Sequence, residues 1–360
     1  MKKRIASIPA TLFLQDGHRF TGQGFGSQKN TDGEVVFATG MVGYPESFTD
    51  PSFEGQIFVA TFPLMGNYGV PEHPFESDAV HIRAVVCQQY TEDYSHPHAK
   101  QSLSDWLADN DIPGISGIDT RALTQHLRET GNQVGVIVFG NNPKKPDFKK
   151  IVDPNTLNLV DVVSPKEVQE YNMQNAETKI LLVDCGMKNN ILQEFLKRDV
   201  GVKRVPWNYD YRAELKDFDG LFVSNGPGDP ATLTETVGYL RDAMKTGLPI
   251  FGICLGSQLM GLASGAKTYK LKYGHRSQNQ PCIDTTTGRC YLTTQNHGFA
   301  VDEKTLKKDW NVWFYNANDG SVEGIYHKTK PFISVQFHPE STPGPEDTTF
   351  LFDEFLKRIR

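Results

Sequence analysis

The sequence has no C-x-x-C pair. Its five cysteines, Cys87, Cys185, Cys254, Cys282 and Cys290, are an odd number scattered through 360 residues. That excludes a full disulfide framework, argues against a zinc site and points to a reducing, intracellular setting. No stretch approaches the roughly 18 apolar residues that a spanning helix needs. Basic charge is not in excess: the net charge is −6, so neither nucleic acid nor an anionic membrane surface is an expected partner. The glycine-rich "SNGPGDP" (224–230) lacks the Gly-Lys-Ser/Thr ending of a phosphate loop, so no nucleotide is expected there. "GQGFG" (22–26) lacks G-x-G-x-x-G spacing and opens no helix; it reads as a hairpin turn. In "SHPHAK" (95–100) two histidines have no nearby set of carboxylate or cysteine ligands, and no metal is expected. Low-complexity tracts are absent as well. What remains is a soluble globular chain long enough for two cores.

The start, "MKKRIASIPATLFLQDGHRF", is basic and partly apolar, but Ser7 and Pro9 interrupt it. Ile5–Leu14 reads as mature protein, with "TLFL" a strand entering an Asp-Gly turn. Residues 1–145 carry short strands, "GEVVFAT", "QIFVATF" and "AVHIRAVVC", between Gly and Pro turns. One helix, "TRALTQHLRET", stops at Gly131 and carries Ala122, Leu123 and Leu127 at helical spacing. This half is expected to be an α+β domain. Residues 146–177 are polar and broken by prolines, which suits a connection.

From 178 to 360 the rhythm changes. "KILLVDCG" is a continuous apolar strand; "NNILQEFLKRD" is helical; "VKRVPW" and "FDGLFVSNGPGDP" follow, then the helical "ETVGYLRDAMKTG" and "LPIFGIC". Buried strands alternating with helices predict an α/β domain whose mostly parallel sheet is covered on both faces. Ligands in such sheets bind at the carboxyl ends of the strands. Cys254 falls at one such end and "SNGPGDP" at another.

Gly252-Ile253-Cys254-Leu255-Gly256 has the shape of a nucleophile elbow with sulfur in place of oxygen. The helix that follows would aim its N-terminus at the sulfur and favour the thiolate. "FISVQFHPEST" (332–342) supplies a base: a strand over Phe332–Phe337 with His338 just past its end and Glu340 two residues on. A carboxylate there can hold one ring nitrogen so that the other faces sulfur.

"GICLGSQ" followed by "QFHPE" resembles the signature of class I glutamine amidotransferases. "GEVVFATGMVGYPESFTDPSFEGQ", "FPLMGNYGVP", "SNGPGDP" and "TTQNHGFAVD" narrow the resemblance to the small, glutamine-hydrolysing subunits of carbamoyl phosphate synthetases, over nearly the whole chain. The resemblance implies that Cys254 attacks the glutamine amide, His338 shuttles the proton and Glu340 orients the imidazole. It implies oxyanion donors from Leu255 and the Gly226–Gly228 turn, and glutamine contacts from Ser52, Gln258, Asn296, Gly298 and Phe299. His297 is read as structural. "KYGHRSQNQP" (272–281) is read as contacting a partner or supporting the site. Ser257 stands where many relatives have histidine, which removes a titratable group near the nucleophile.

The same resemblance implies a cytoplasmic enzyme that passes ammonia through a tunnel to a separate large subunit. That subunit would use ATP, Mg and bicarbonate to make carbamoyl phosphate for arginine or pyrimidine synthesis. No cofactor or metal is expected in this chain, and a heterodimer, or a higher oligomer built from it, is. The length fits a free-standing subunit or a piece of a longer fusion. Two rival readings are a glutaminase that works alone and a non-enzymatic regulatory relative; the second should have lost Cys254, His338 or Glu340, and all three are present.

Overall fold

The computed structural model describes residues 7–72 and 75–359; Ile5 and the basic start lie outside the described residues. The chain divides into two compact units, Met1–Thr156 and Leu157–Arg360.

Seven strands of the first unit close into a barrel: β1 (Pro9–Leu14), β2 (Arg19–Gly26), β3 (Thr31–Ala38), β4 (Gln56–Ala60), β5 (Ala84–Val86), β6 (Pro113–Ser116) and β7 (Gln133–Phe139). Their order is β1-β7-β3-β4-β5-β6-β2, with β3 to β6 joined by parallel pairings. Closure leaves no unpaired sheet edge. The strand at "TLFL" and its Asp-Gly turn are present: Gly17, at φ 102°, donates its N–H to the Leu14 carbonyl at 3.0 Å.

"GQGFG" is not a turn. It is the second half of β2. Its glycines serve close packing: a Cβ on Gly22 would lie 2.0 Å from the Ser116 carbonyl oxygen, and one on Gly24 2.3 Å from the Phe139 ring. Helix α1 (Thr120–Thr130) begins at an Asp119 side chain that accepts from the Ala122 N–H and ends before Gly131, at φ 93°. Its buried face is Thr120, Leu123, Thr124 and Leu127, three and four residues apart. Ala122, expected on that face, points to solvent instead.

The second unit contains a ten-stranded sheet. Its strands are β8 (Gln169–Tyr171), β9 (Lys179–Asp184), β10 (Gly201–Pro206), β11 (Gly220–Val223), β12 (Ile250–Ile253), β13 (Thr268–Asp284), β14 (Cys290–Val301), β15 (Trp310–Asn316), β16 (Val322–His327) and β17 (Phe332–Val335). The order is β8-β10-β9-β11-β12-β17-β16-β15-β13-β14. The five strands from β10 to β17 in that order run parallel, as the strand–helix alternation predicts. The other five pair antiparallel, β8 at one edge beside β10 and β16, β15, β13 and β14 together at the other, which the alternation did not reveal.

Ile180 and Leu182 pack in one cluster with α2 (Asn189–Leu196) and α5 (Phe350–Ile359); Leu181 and Val183 pack in another with α3 (Thr234–Thr246) and α4 (Leu255–Ser264). Successive strand residues face opposite ways, so a strand covered on both faces must be apolar throughout. The neighbours β9, β11, β12 and β17 are parallel, so the loops after them, at 185–188, 224–230, 254 and 336–340, emerge along one edge of the sheet.

Candidate active site

Cys254 is the residue between β12 and α4. Its backbone sits at φ 54°, ψ −106°, an unusual place for a side-chain-bearing residue. Such a conformation costs on the order of 1–3 kcal/mol and persists only when its surroundings impose it. Here the Cys254 N–H donates to the Val335 carbonyl at 2.8 Å, and the Gly256 N–H to the Ser224 carbonyl at 3.0 Å. The chain passes so close to its neighbours that a Cβ on Gly256 would lie 2.2 Å from the Val223 oxygen, and one on Gly252 2.6 Å from the Gly256 oxygen. The elbow is thus imposed by two strands and made possible by two glycines. The amides of Ser257 and Gln258 turn back to the Cys254 carbonyl. That of Leu255, the first helical residue, has neither role, which is what an oxyanion donor requires.

His338 lies after β17 and is fixed by its own N–H, which donates to the Thr294 carbonyl at 2.9 Å. Its Nδ1 is 2.6 Å from Glu340 Oε1, so Nε2 is the nitrogen left for chemistry. Nε2 is buried and makes no hydrogen bond of ordinary length, yet Cys254 is near enough to stabilise the imidazolium. The two groups face each other closely enough for proton transfer, in a contact that binding of a substrate would tighten. Burial alone would lower the His338 pKa. The Glu340 charge and the nearby Cys254 outweigh burial and raise it to about 10.

A third group completes the line. Lys188, at the start of α2, is buried and places Nζ 3.1 Å from the same Glu340 oxygen. Burial alone would raise the Glu340 carboxyl; the charges of Lys188 and His338 overcome it and hold the group down at about 2. Asn190 donates to the Glu340 carbonyl and to Thr342 Oγ1. Lys188 was not among the sequence candidates. It stands in "DCGMKNN", directly after β9, and the strand-end rule that picked out 224–230 and 254 also points to that loop.

Of the other candidates of this unit, Asn296 reaches Cys254 and Gln258 lies on the helix that follows it. The Asn296 carbonyl is 3.7 Å from Sγ. Gln258 is buried and donates Nε2–H to the Phe299 carbonyl at 2.9 Å and to Gln336 Oε1 at 3.1 Å. A Cβ on Gly226 would lie 2.1 Å from the Cys185 carbonyl oxygen and 2.8 Å from the Leu255 side chain; Gly228 has φ 85°. Gly298 is half-buried beside the Arg276 guanidinium, within the stretch read as supporting the site. Ser257 pairs its hydroxyl with that of Ser334 at 2.8 Å, so the position is a small buried pair. Ser52 belongs to the first unit, where it is buried and its N–H donates to Asp50 Oδ1 at 2.9 Å. His297 is fully buried and hydrogen-bonded. No helix among the described residues is long and apolar enough to cross a membrane.

The Lys188–Glu340 contact yields a stability prediction. Lys188→Met takes one of two cationic partners from a buried carboxylate and leaves it to His338, and removing one member of a buried ion pair costs up to about 3–5 kcal/mol. Urea unfolding should show that loss. The double variant Lys188→Met/Glu340→Gln should lose clearly less than the sum of the singles. Strict additivity would mean that the two charges do not depend on each other.

Residues 181–358 match the family Glutamine amidotransferase class-I, and residues 12–137 match Carbamoyl-phosphate synthase small chain, CPSase domain. Among curated proteins, the chain is 47% identical over 365 residues to a carbamoyl phosphate synthase arginine-specific small chain of Chaetomium globosum, covering 99% of this chain and 79% of that one. The corresponding protein of Neurospora crassa is 47% identical over 360 residues, covering 97% and 80%. Multifunctional protein URA2 of Saccharomyces cerevisiae is 48% identical over 391 residues, covering 97% of this chain and 17% of that one. The chain spans between 17% and 21% of the length of the multifunctional relatives it matches.

Proposed function

The chain belongs to the carbamoyl phosphate synthase small-chain family, with a class I glutamine amidotransferase domain, and from that premise we propose that it hydrolyses L-glutamine to glutamate and ammonia and hands the ammonia to a large synthase subunit. The observation that carries the reading is the line Cys254, His338, Glu340, Lys188, assembled from three loops at the carboxyl ends of the parallel strands.

The Cys254 thiolate adds to the side-chain amide carbon, and the carbonyl electrons move onto oxygen. The N–H of Leu255 and the Gly226–Gly228 turn receive that oxyanion; losing one such donor typically costs about 3–4 kcal/mol. His338 delivers its Nε2 proton to the leaving nitrogen, the C–N bond breaks, and ammonia departs from a γ-glutamyl thioester. Thioester formation also neutralises the sulfur. One support of the raised His338 pKa is then gone, and the ring is freer to act as a base. It takes a proton from water as the water oxygen adds to the thioester. Collapse releases glutamate and restores the thiolate–imidazolium pair. Gln258, Asn296, Gly298 and Phe299 are assigned to the amino-acid end of the substrate.

In this reading ATP, Mg and bicarbonate act on the large subunit, which receives ammonia through a tunnel in a heterodimeric cytoplasmic enzyme. Arginine-specific and multifunctional relatives match at nearly the same identity, so identity does not choose between the pathways they serve.

The isolated chain is expected to bind glutamine but turn it over slowly. Large subunit, bicarbonate and ATP together should raise the rate by about 10²-fold or more, since a ~1 Å misplacement of reacting groups is enough to cost that much. Steady-state glutamate release, with and without the partner and ATP, decides it. A full rate from the chain alone, unchanged by either addition, would favour a free-standing glutaminase. No glutamate release under any condition would favour a regulatory relative.

A further inference from the structure

Segment 296–299 runs from the nucleophile, where the Asn296 carbonyl meets Sγ, to the Phe299 carbonyl that Gln258 holds. Its backbone support is weak. The β13–β14 ladder shifts register between Lys270 and His275 and again between Ser277 and Gln280, leaving an island of three pairs, His275–His297, Arg276–Asn296 and Ser277–Gln295. Interrupted ladders hold a strand less firmly.

Side chains take over at that island. His297 Nδ1 is 2.8 Å from the Phe299 carbonyl oxygen, an acceptor only, so Nδ1 carries the proton. Burial lowers the His297 pKa and favours the neutral ring, whose Nε2 lies 3.1 Å from Gln295 Oε1, 3.2 Å from His275 Nδ1 and 3.6 Å from Glu323 Oε1. His275 faces three acceptors with two nitrogens. Its Nε2 is 2.9 Å from Asp319 Oδ2, and its Nδ1 is 3.2 Å from both Glu323 Oε1 and His297 Nε2. Both nitrogens must donate, so His275 is the imidazolium. Burial opposes that charge, but Asp319 and Glu323 outweigh it. Glu323 is itself fixed in β16, whose carbonyl at that residue accepts from the Gln336 N–H at 2.8 Å. Asp319 is set in the β15–β16 turn by the N–H and hydroxyl of Ser321, at 3.0 and 2.7 Å, and its side chain is 40% exposed.

We propose that Asp319 and His275 are positioning residues for glutamine: with Glu323 they orient His297, which fixes the Phe299 carbonyl and thereby the segment that receives the amino-acid end of the substrate. This rests on the glutaminase reading. The network ends at the substrate segment and does not reach His338 or Glu340, so its loss weakens glutamine binding more than chemistry at Cys254.

The test uses the full chain bound to its large subunit, with glutamate release measured against glutamine concentration for Asp319→Asn, Asp319→Glu, His275→Gln and the Asp319→Asn/His275→Gln double variant. Ammonia-supported synthesis and the thermal midpoint are recorded beside it. Charge-assisted hydrogen bonds are strong enough that KM should rise about tenfold or more in Asp319→Asn and His275→Gln, with kcat changed less than about threefold. Asp319→Glu should recover most of the lost affinity, and the double variant should be no worse than the worse single. Unchanged KM in both singles overturns the proposal. So does a parallel fall of kcat, ammonia-supported synthesis and thermal midpoint that Asp319→Glu does not rescue, the mark of a merely structural role. The ligand atoms of His275, His297 and Glu323 lie within 4.8 Å of one another, as they would around a divalent metal. If chelation raises the wild-type KM and zinc restores it, a metal and not the His275 proton holds the segment, and the proposal fails. If the wild type releases no glutamate at all, the glutaminase reading fails first and takes this one with it.

Discussion

Cys254→Ser should abolish glutamine-dependent synthesis while leaving synthesis from added ammonia intact. Serine is nearly the size of cysteine and can take the same turn, so the elbow held by Val335 and Ser224 should survive the change. The chemistry should not survive it. A serine hydroxyl beside His338 is a far weaker nucleophile than a cysteine sulfur. Loss of an unaided nucleophile costs on the order of 10⁴–10⁶ in kcat. Glutamate release and carbamoyl phosphate formation from ammonia, measured on one preparation of the complex, separate the outcomes. Loss of both activities would show that Cys254 matters for assembly, and the nucleophile assignment would fall.

The second large effect separates His338 from Glu340. His338→Asn removes the proton carrier, and general acid–base groups contribute typically ~10²–10⁴-fold. Glu340→Gln keeps a hydrogen-bonding group against Nδ1 at 2.6 Å but deletes the charge that raises the imidazolium pKa. Its residual activity should be clearly larger than that of His338→Asn. The sign of its pH effect follows from the same contact. His338 is raised in the folded chain, so its protonated form contributes stability that is complete below about pH 6.5 and lost as pH rises toward 10. Glu340→Gln should therefore lose more stability at neutral pH than at pH 10. Glu340 is depressed to about 2, and its own contribution is present above the usual carboxylate range and fades as pH falls through it. Equal and complete loss of activity in both variants, or a Glu340→Gln penalty that does not shrink with rising pH, would contradict the division of roles.

The candidate site residues were legible because each sits at a place where local chemistry is informative. Gly252 and Gly256 flank Cys254 because the chain approaches itself within a Cβ's reach, and that spacing is written in five consecutive residues. His338 and Glu340 are two residues apart, so their pairing is a local event too. The apolar run of Ile180–Val183 declared a doubly covered strand by itself.

Other features depended on contacts between residues far apart in the chain. Lys188 meets Glu340 across 152 positions, and nothing near either residue signals the pair. "GQGFG" carries the composition of a turn, yet Ser116 and Phe139 make it a strand, because glycine marks close approach as well as bending. The antiparallel half of the sheet was hidden because β13 to β16 interleave polar residues, many of them buried, with apolar ones and shift register, so they lack the continuous apolar runs of the parallel half. His275 shows the division most plainly. From sequence it belongs to a polar stretch of unremarkable composition; its charge is settled by Asp319, Glu323 and His297, which reach it only after three other strands have folded around β13. The sequence by itself determined the elbow around Cys254, the His338–Glu340 pair and the strand ends that carry them, since those follow from neighbours along the chain. Tertiary structure alone decided which buried charges meet, because a proton or an ion pair in a low-dielectric interior is controlled by whatever lies within a few ångströms, whatever its distance in sequence.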